Sequence, residues 1–176
     1  MAGEPIVLAP YDPEWARRFE AERELLARVL APWLDGSVEH VGSTAIPGIA
    51  AKPIVDMVAG VRDLDEARAA YGPLEAVGYV DEPHRSEIAH HFAKPALELD
   101  ARRLNLHLTE PGSSLWRERL AFRDALRADP SLAAEYEALK LRLARRHLGD
   151  VRAYTDGKRE FVHRVLVAAG VEFSWR

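Results

Sequence analysis

The chain contains no cysteine. That excludes disulfides, thiolate metal sites and cysteine nucleophiles, and it suits a reducing, cytoplasmic setting. A surplus of basic charge is also missing: 24 Lys and Arg stand against 28 Asp and Glu, for a formal net charge of -4. Proteins that bind nucleic acid without regard to sequence present a basic face, so general nucleic-acid binding is not expected. The local runs "ARR" (101–103) and "LARRH" (143–147) read as solvated faces. No apolar run approaches the roughly 20 residues that span a bilayer, so no membrane association is expected. The opening "MAGEPIVLAPYDP" lacks the basic region and apolar stretch of a secretion signal. Internal repeats and low-complexity segments are absent too.

What remains is an ordinary globular composition, with 48% hydrophobic and 30% charged residues. The 176 residues suit one domain. A chain of this size buries roughly 70% of its unfolded surface, enough for a true core.

"YDPEW" starts a helix: Asp12 is placed to cap free amides, and Pro13 fits the first helical position. Trp15, Phe19, Leu26 and Leu30 then recur at helical spacing. A strand follows at about 37–41 and a second, "PIVDMVAG", at 53–60, where Pro53 is tolerable as the first residue. "RDLDEARAAYGPLEAV" reads as helix capped by Asp63 and Glu66, with Gly72-Pro73 breaking or restarting it. "IAHHFAKPAL" and "RLNLHLTE" read as two strands joined by the polar "ELDAR" as a hairpin. Beyond Pro111-Gly112 three helices are expected, at about 113–127, 130–147 and 151–168; Asp129-Pro130 starts the second and Gly149 ends it. The pattern is α+β. We expect a single domain over 1–176, with a sheet part at about 1–111 and a helical part at about 112–176.

One stretch carries the chemistry: "HVGSTAIPGIAAKPIVDMV", residues 40–58. Gly42, Ser43 and Thr44 follow a strand, and a loop of such residues turns several N–H groups toward one point, where phosphate oxygens bind. Read alone, the same residues also describe a plain turn. Asp56 lies among apolar neighbours in "IVDMV". A carboxylate there is costly unless paired, hydrogen-bonded or bound to metal. A phosphate cradle beside a strand-borne acid suggests Mg²⁺ bridging acid and phosphates. Lys52, at the entry to the Asp56 strand, is placed for a phosphate or for solvent. In "LNLHLTE", Asn105, His107 and Thr109 share one strand face, opposite three leucines, and so line either a cleft or solvent. His90 and His91 are neighbours on a strand and point to opposite faces. In the last helix Tyr154, Lys158, Phe161, Val162 and Val165 share a stripe. Lys158 on that apolar face either snorkels out or reaches a phosphate, with Tyr154 directed toward a base or ribose. Gly157 beside it permits a close approach. The set Trp116, Leu120, Phe122 and Leu126 reads as core.

"YDPEW", "EHVGSTAIPGIAAKPIVDM", "LNLHLTEPGS", "FRDALR" and "YTDGKREFV" together resemble the GrpB family over about residues 6–170. That family is similar in fold to the nucleotidyltransferase superfamily, so the resemblance implies a mixed β-sheet with packed helices and a C-terminal helical part. The superfamily pattern sets a Gly-Ser at a strand end before an Asp-apolar-Asp on the next strand. Gly42-Ser43 and Asp56 fall into that register, and the resemblance implies a nucleoside triphosphate held by the loop. It further implies Mg²⁺ held by Asp56, and a nucleotidyl group transferred to an unknown acceptor. The second acid belongs at position 58, which is Val58. His107 occupies the later strand that carries a third acid in the superfamily; it suits Mg²⁺ poorly but is able to contact phosphate or act as a general base. The alternative reading is a nucleotide- or phosphate-binding module without transferase activity. Some members of the family are fused to dephospho-coenzyme A kinase, which implies nucleotide or cofactor metabolism.

Overall fold

Asp12 opens the first helix as expected: its Oδ1 accepts the Glu14 N–H at 2.9 Å. Helix α1 spans Glu14–Val29 and buries Trp15, Phe19 and Leu26. The structure, a computed structural model, describes residues 6–83, 87–95 and 103–173. After α1 come β1 (Leu34–Val41), a 3₁₀ turn (Ser43–Ala45) and β2 (Val55–Val61). A second 3₁₀ turn (Glu66–Ala70) leads into α2 (Tyr71–Ala76), then β3 (Val80–Asp81), β4 (His90–Lys94) and β5 (Leu104–Thr109). The helical part contains α3 (Ser114–Ala128), α4 (Pro130–Arg146), α5 (Val151–Asp156) and α6 (Arg159–Ala168).

The five strands form one sheet in the order β1-β2-β5-β4-β3. The β2–β5 pair is parallel and the other pairs are antiparallel, so the sheet is mixed as expected. Alternation along the strands divides the side chains between two faces. Val55, Met57, Ala59 and Val61 of β2 join Leu104, Leu106 and Leu108 of β5 in a large core with α1 and α2. Burying side chains of this size stabilises by about 1.5–3 kcal/mol each before entropy is counted. The opposite face carries Asp56 and Val58 on β2, aligned with Asn105 and His107 on β5.

A second, smaller core lies in the helical part, and its composition explains how the two parts are joined. Ile46 and Ile49, from the loop between β1 and β2, pack there with Leu126, Ala133, Tyr136, Phe161 and Val165. The loop is thus plugged into the helices by two isoleucines.

Three sequence expectations are refined. Strand β1 begins at Leu34, with a register irregularity between Leu34 and Val38. The short strand β3 follows α2, where no strand was expected. The last helix is two helices, broken at Gly157-Lys158. Gly157 admits α4 rather than a ligand: a Cβ there would lie 2.5 Å from Leu143 Cδ2. The Gly72-Pro73 pair restarts the helix, as α2. β4 and β5 pair antiparallel, as a hairpin requires; the expected "ELDAR" connection lies outside the described residues. No described helix is long and apolar enough to cross a membrane.

Candidate functional site

Strand β1 ends at Val41, which pairs with Asp56 across the sheet. Gly42 follows with φ +73°, a left-handed conformation that favours glycine. A Cβ on it would lie 2.7 Å from Asp56 Oδ2. The loop backbone therefore runs directly against the carboxylate, and only glycine permits it. The 3₁₀ turn then begins at Ser43, and the first N–H groups of such a turn need partners from outside it.

The loop is fixed from behind by a chain of hydrogen bonds. Thr44 Oγ1 donates to the Ile54 carbonyl at 2.9 Å. Its one proton is thereby used, so the buried His40 ring donates from Nε2 to Thr44 Oγ1, at 3.0 Å. His40 also stacks on Phe19 at 4.8 Å between centroids. Burial pushes its pKa down to about 4, with Arg127 and Arg123 adding to the effect. His40 is a neutral strut of the loop.

The helices hold the loop's outer side. Arg123 of α3 donates to the His40 carbonyl at 3.1 Å and to Glu39 at 2.6 Å. Arg127, one turn further on, donates to the Ala45 carbonyl at 2.8 Å. Helix α4 grips Ala50 by both peptide groups: Glu137 accepts its N–H and the buried Lys140 donates to its carbonyl. These four residues were not singled out in the sequence. The signal was present as arginines at 119, 123 and 127, repeating every four residues on one helix face.

Between this loop and the last two helices lies an open cleft of about 180 Å³. Ser43, Thr44, Lys52, Ile54, Asp56, Tyr154 and Lys158 line it. Sequence reasoning named six of these seven, and the fold brings all six together. Their roles differ in part from expectation. The Thr44 hydroxyl is tied to Ile54, and the Ser43 side chain hydrogen-bonds the buried Tyr136 hydroxyl. Tyr154 is 2% exposed. Its ring carries two ammonium groups, Lys52 Nζ at 4.8 Å and Lys158 Nζ at 4.6 Å from the centroid. The ring expected to meet a base or ribose seats the two lysines in this structure. Lys158 sits at the break between α5 and α6, not within a continuous helical stripe.

Asp56 is half-buried at the floor. Asn105 Nδ2 donates to its Oδ1 at 2.8 Å. Burial raises the Asp56 pKa; the Asn105 hydrogen bond, Arg119, Lys158 and His91 pull it back. Burial lowers the pKa of Lys158 to about 8, with Lys52 and Arg119 adding and Asp56 opposing. Lys52 is lowered by burial and supported by Asp56. Asn105, rather than the expected His107, is the strand neighbour that touches Asp56. His107 aligns with Val58, two pairs further along, and stacks on His91 at 4.5 Å between centroids. His90 points to the other face, as expected, and donates to the Leu64 carbonyl at 2.6 Å.

Does this site fit Mg²⁺? The ion takes hard oxygen ligands in octahedral array. Asp56 is the one carboxylate lining the cleft, and no group of three or more His, Asp or Glu suited to a metal occurs among the described residues. Val58 is fully buried where the second acid would stand. Glu39 is its register neighbour on β1, but Arg123 holds that carboxylate. The donors do not fit the paired-carboxylate site that the resemblance implies.

Residues 5–167 match the family described as GrpB protein. The chain belongs to the GrpB family. It is 34% identical over 167 residues to the glutamate-rich protein GrpB of Alkalihalophilus pseudofirmus, covering 92% of this chain and 94% of the relative. The crystal structure of GrpB from Enterococcus faecalis superposes with a TM-score of 0.82 at 28% identity, over 93% of this chain and 96% of the other. A more distant likeness extends to the Cid1 poly(U) polymerase, whose structure has Mg and 3'-dATP bound. There the TM-score is 0.53 at 13% identity, over 77% of this chain and 42% of that one. The GrpB fold is therefore nucleotidyltransferase-like.

Proposed function

We propose that this GrpB protein binds a nucleotide through its phosphates, in the cleft between the Gly42–Thr44 loop and the α5–α6 break. One observation carries the reading: Lys52 and Lys158 converge on the Tyr154 ring, in a cleft that Ser43 and Thr44 of the loop also line. Ammonium groups and backbone N–H groups are the donors that phosphate oxygens require. The nucleotidyltransferase-like fold supports a nucleoside as the rest of the ligand.

Transfer of a nucleotidyl group with Mg²⁺ to an unknown acceptor is the second reading, favoured by Asp56 standing in register with the superfamily's first strand acid. In that case Asp56 would hold the metal or take the acceptor's proton. Val58 and the Arg123-bound Glu39 favour binding without transfer.

A thermal-shift series tests the proposal, with ATP, GTP, CTP, UTP, adenosine and tripolyphosphate, each with and without Mg²⁺. A ligand at one hundred times its Kd stabilises by about 2.7 kcal/mol, which moves the melting temperature by several degrees. Shifts with a triphosphate and with tripolyphosphate, but not with adenosine, are expected. No shift with any nucleotide at millimolar concentration would contradict the proposal.

A further inference from the structure

The charges around the cleft are arranged unlike those of a metal-dependent phosphate site. We infer that the cleft binds its phosphate-bearing ligand without a divalent cation, the ammonium groups of Lys52 and Lys158 standing in the metal's place. This rests on the reading that a phosphate-bearing ligand enters this cleft.

Among the described residues, three acids near the site are already engaged. Glu39 is held by Arg123 at 2.6 Å, and Glu137 accepts the Ala50 N–H. Asp56 gives one oxygen to Asn105, and its other oxygen, Oδ2, lies against the Gly42 backbone. One carboxylate with one oxygen already bonded leaves a divalent ion short of protein ligands.

The cations are disposed the opposite way. Two ammonium groups rest on one aromatic ring, which holds them loosely compared with a carboxylate. Lys140 takes no part, because it is buried and donates to the Ala50 carbonyl. Among the lining residues two positive charges face one negative charge. Arg119 of α3 adds a further positive influence on Asp56 and Lys158. A divalent cation would enter against this surplus, whereas an anion enters with it.

The experiment is isothermal titration of ATP and tripolyphosphate into the intact chain, once in EDTA and once in millimolar MgCl₂. Lys52→Met, Lys158→Met and the corresponding arginine variants are titrated alongside, with melting curves to confirm folding. The inference expects binding in EDTA at least as tight as in MgCl₂. Each methionine variant should lose about tenfold or more in EDTA, the scale of one charge-assisted contact. Arginine, which keeps the charge, should restore most of that loss. Binding seen only with Mg²⁺ would overturn this inference and leave nucleotide binding standing. Methionine variants that fold and bind in EDTA like the wild type would also overturn it. Failure to bind in either medium would overturn both.

Discussion

The two faces of the sheet solve opposite problems with alternate residues of the same strands. On one side Val55, Met57, Ala59 and Val61 meet α1 and α2 in a core from which water is excluded. On the other, one place along, Asp56 stands half-buried against a loop and two lysines. The first face is held by area, because apolar burial is non-directional and sums over many contacts. The second is held by direction. His40, Arg123, Arg127, Glu137 and Lys140 each fix a backbone or hydroxyl group of the connecting loop or of the strand end that leads into it. The first face supplies the stability that lets the second keep partly desolvated charges in place. Functional groups that perturb one another's pKa values are found where a fold tolerates such a cost.

Mutations separate the two faces. The largest effect belongs to the core: Leu106→Ala, at a fully buried site, should destabilise by about 2–5 kcal/mol in denaturant unfolding. Its ligand preference should match the wild type, since Leu106 points away from the cleft. A change in preference would break the division.

A pH titration of stability probes the directional side. His40 is neutral in the fold, with its pKa held near 4 against an ordinary 6.5. Between those values the unfolded chain binds a proton that the folded chain does not, so stability falls as pH drops through that window. The loss is about 3 kcal/mol on completion. His40→Gln should flatten that part of the profile, measured as the difference from wild type so that other groups cancel. An unchanged slope would show that His40 is not the neutral strut described.

Gly42→Ala comes next, at about 1–3 kcal/mol, from a strained positive φ and from overlap with Asp56 Oδ2. Its signature is disproportionate: ligand binding should be lost while the melting temperature drops only moderately. The smallest effect is a pH dependence of affinity. Lys158 sheds its proton near pH 8. ATP affinity in EDTA should therefore weaken about tenfold as pH rises from 7.5 to 9.5, and Lys158→Arg should remove most of that dependence.

The sheet and its register of polar and apolar faces were legible because a period of two is written directly in "IVDMV" and "LNLHL". The helix starts at Asp12, Asp63 and Asp129 were legible where capping residues met Pro or Glu. The cleft lining was legible residue by residue, and the resemblance added to it: six of its seven residues were named. What lay hidden was tertiary. Nothing local tells that Ile46 and Ile49 enter the helical core, or that Arg123 faces Glu39 across 84 residues. Glycine at 157 is required by Leu143, which the sequence places fourteen residues away on another helix. The Asn105 contact was missed because His107, two residues on, carries the richer chemistry while register favours Asn105.

The central claim is that the cleft receives an anion through its lysines, with Asp56 as a counter-charge rather than a metal ligand. Titration of tripolyphosphate into Asp56→Asn in EDTA tests it most directly. Asparagine keeps the shape of the side chain and removes its negative charge. The account predicts that tripolyphosphate binds this variant as tightly as the wild type or tighter. Loss of binding in Asp56→Asn, with the fold intact by melting, would contradict it.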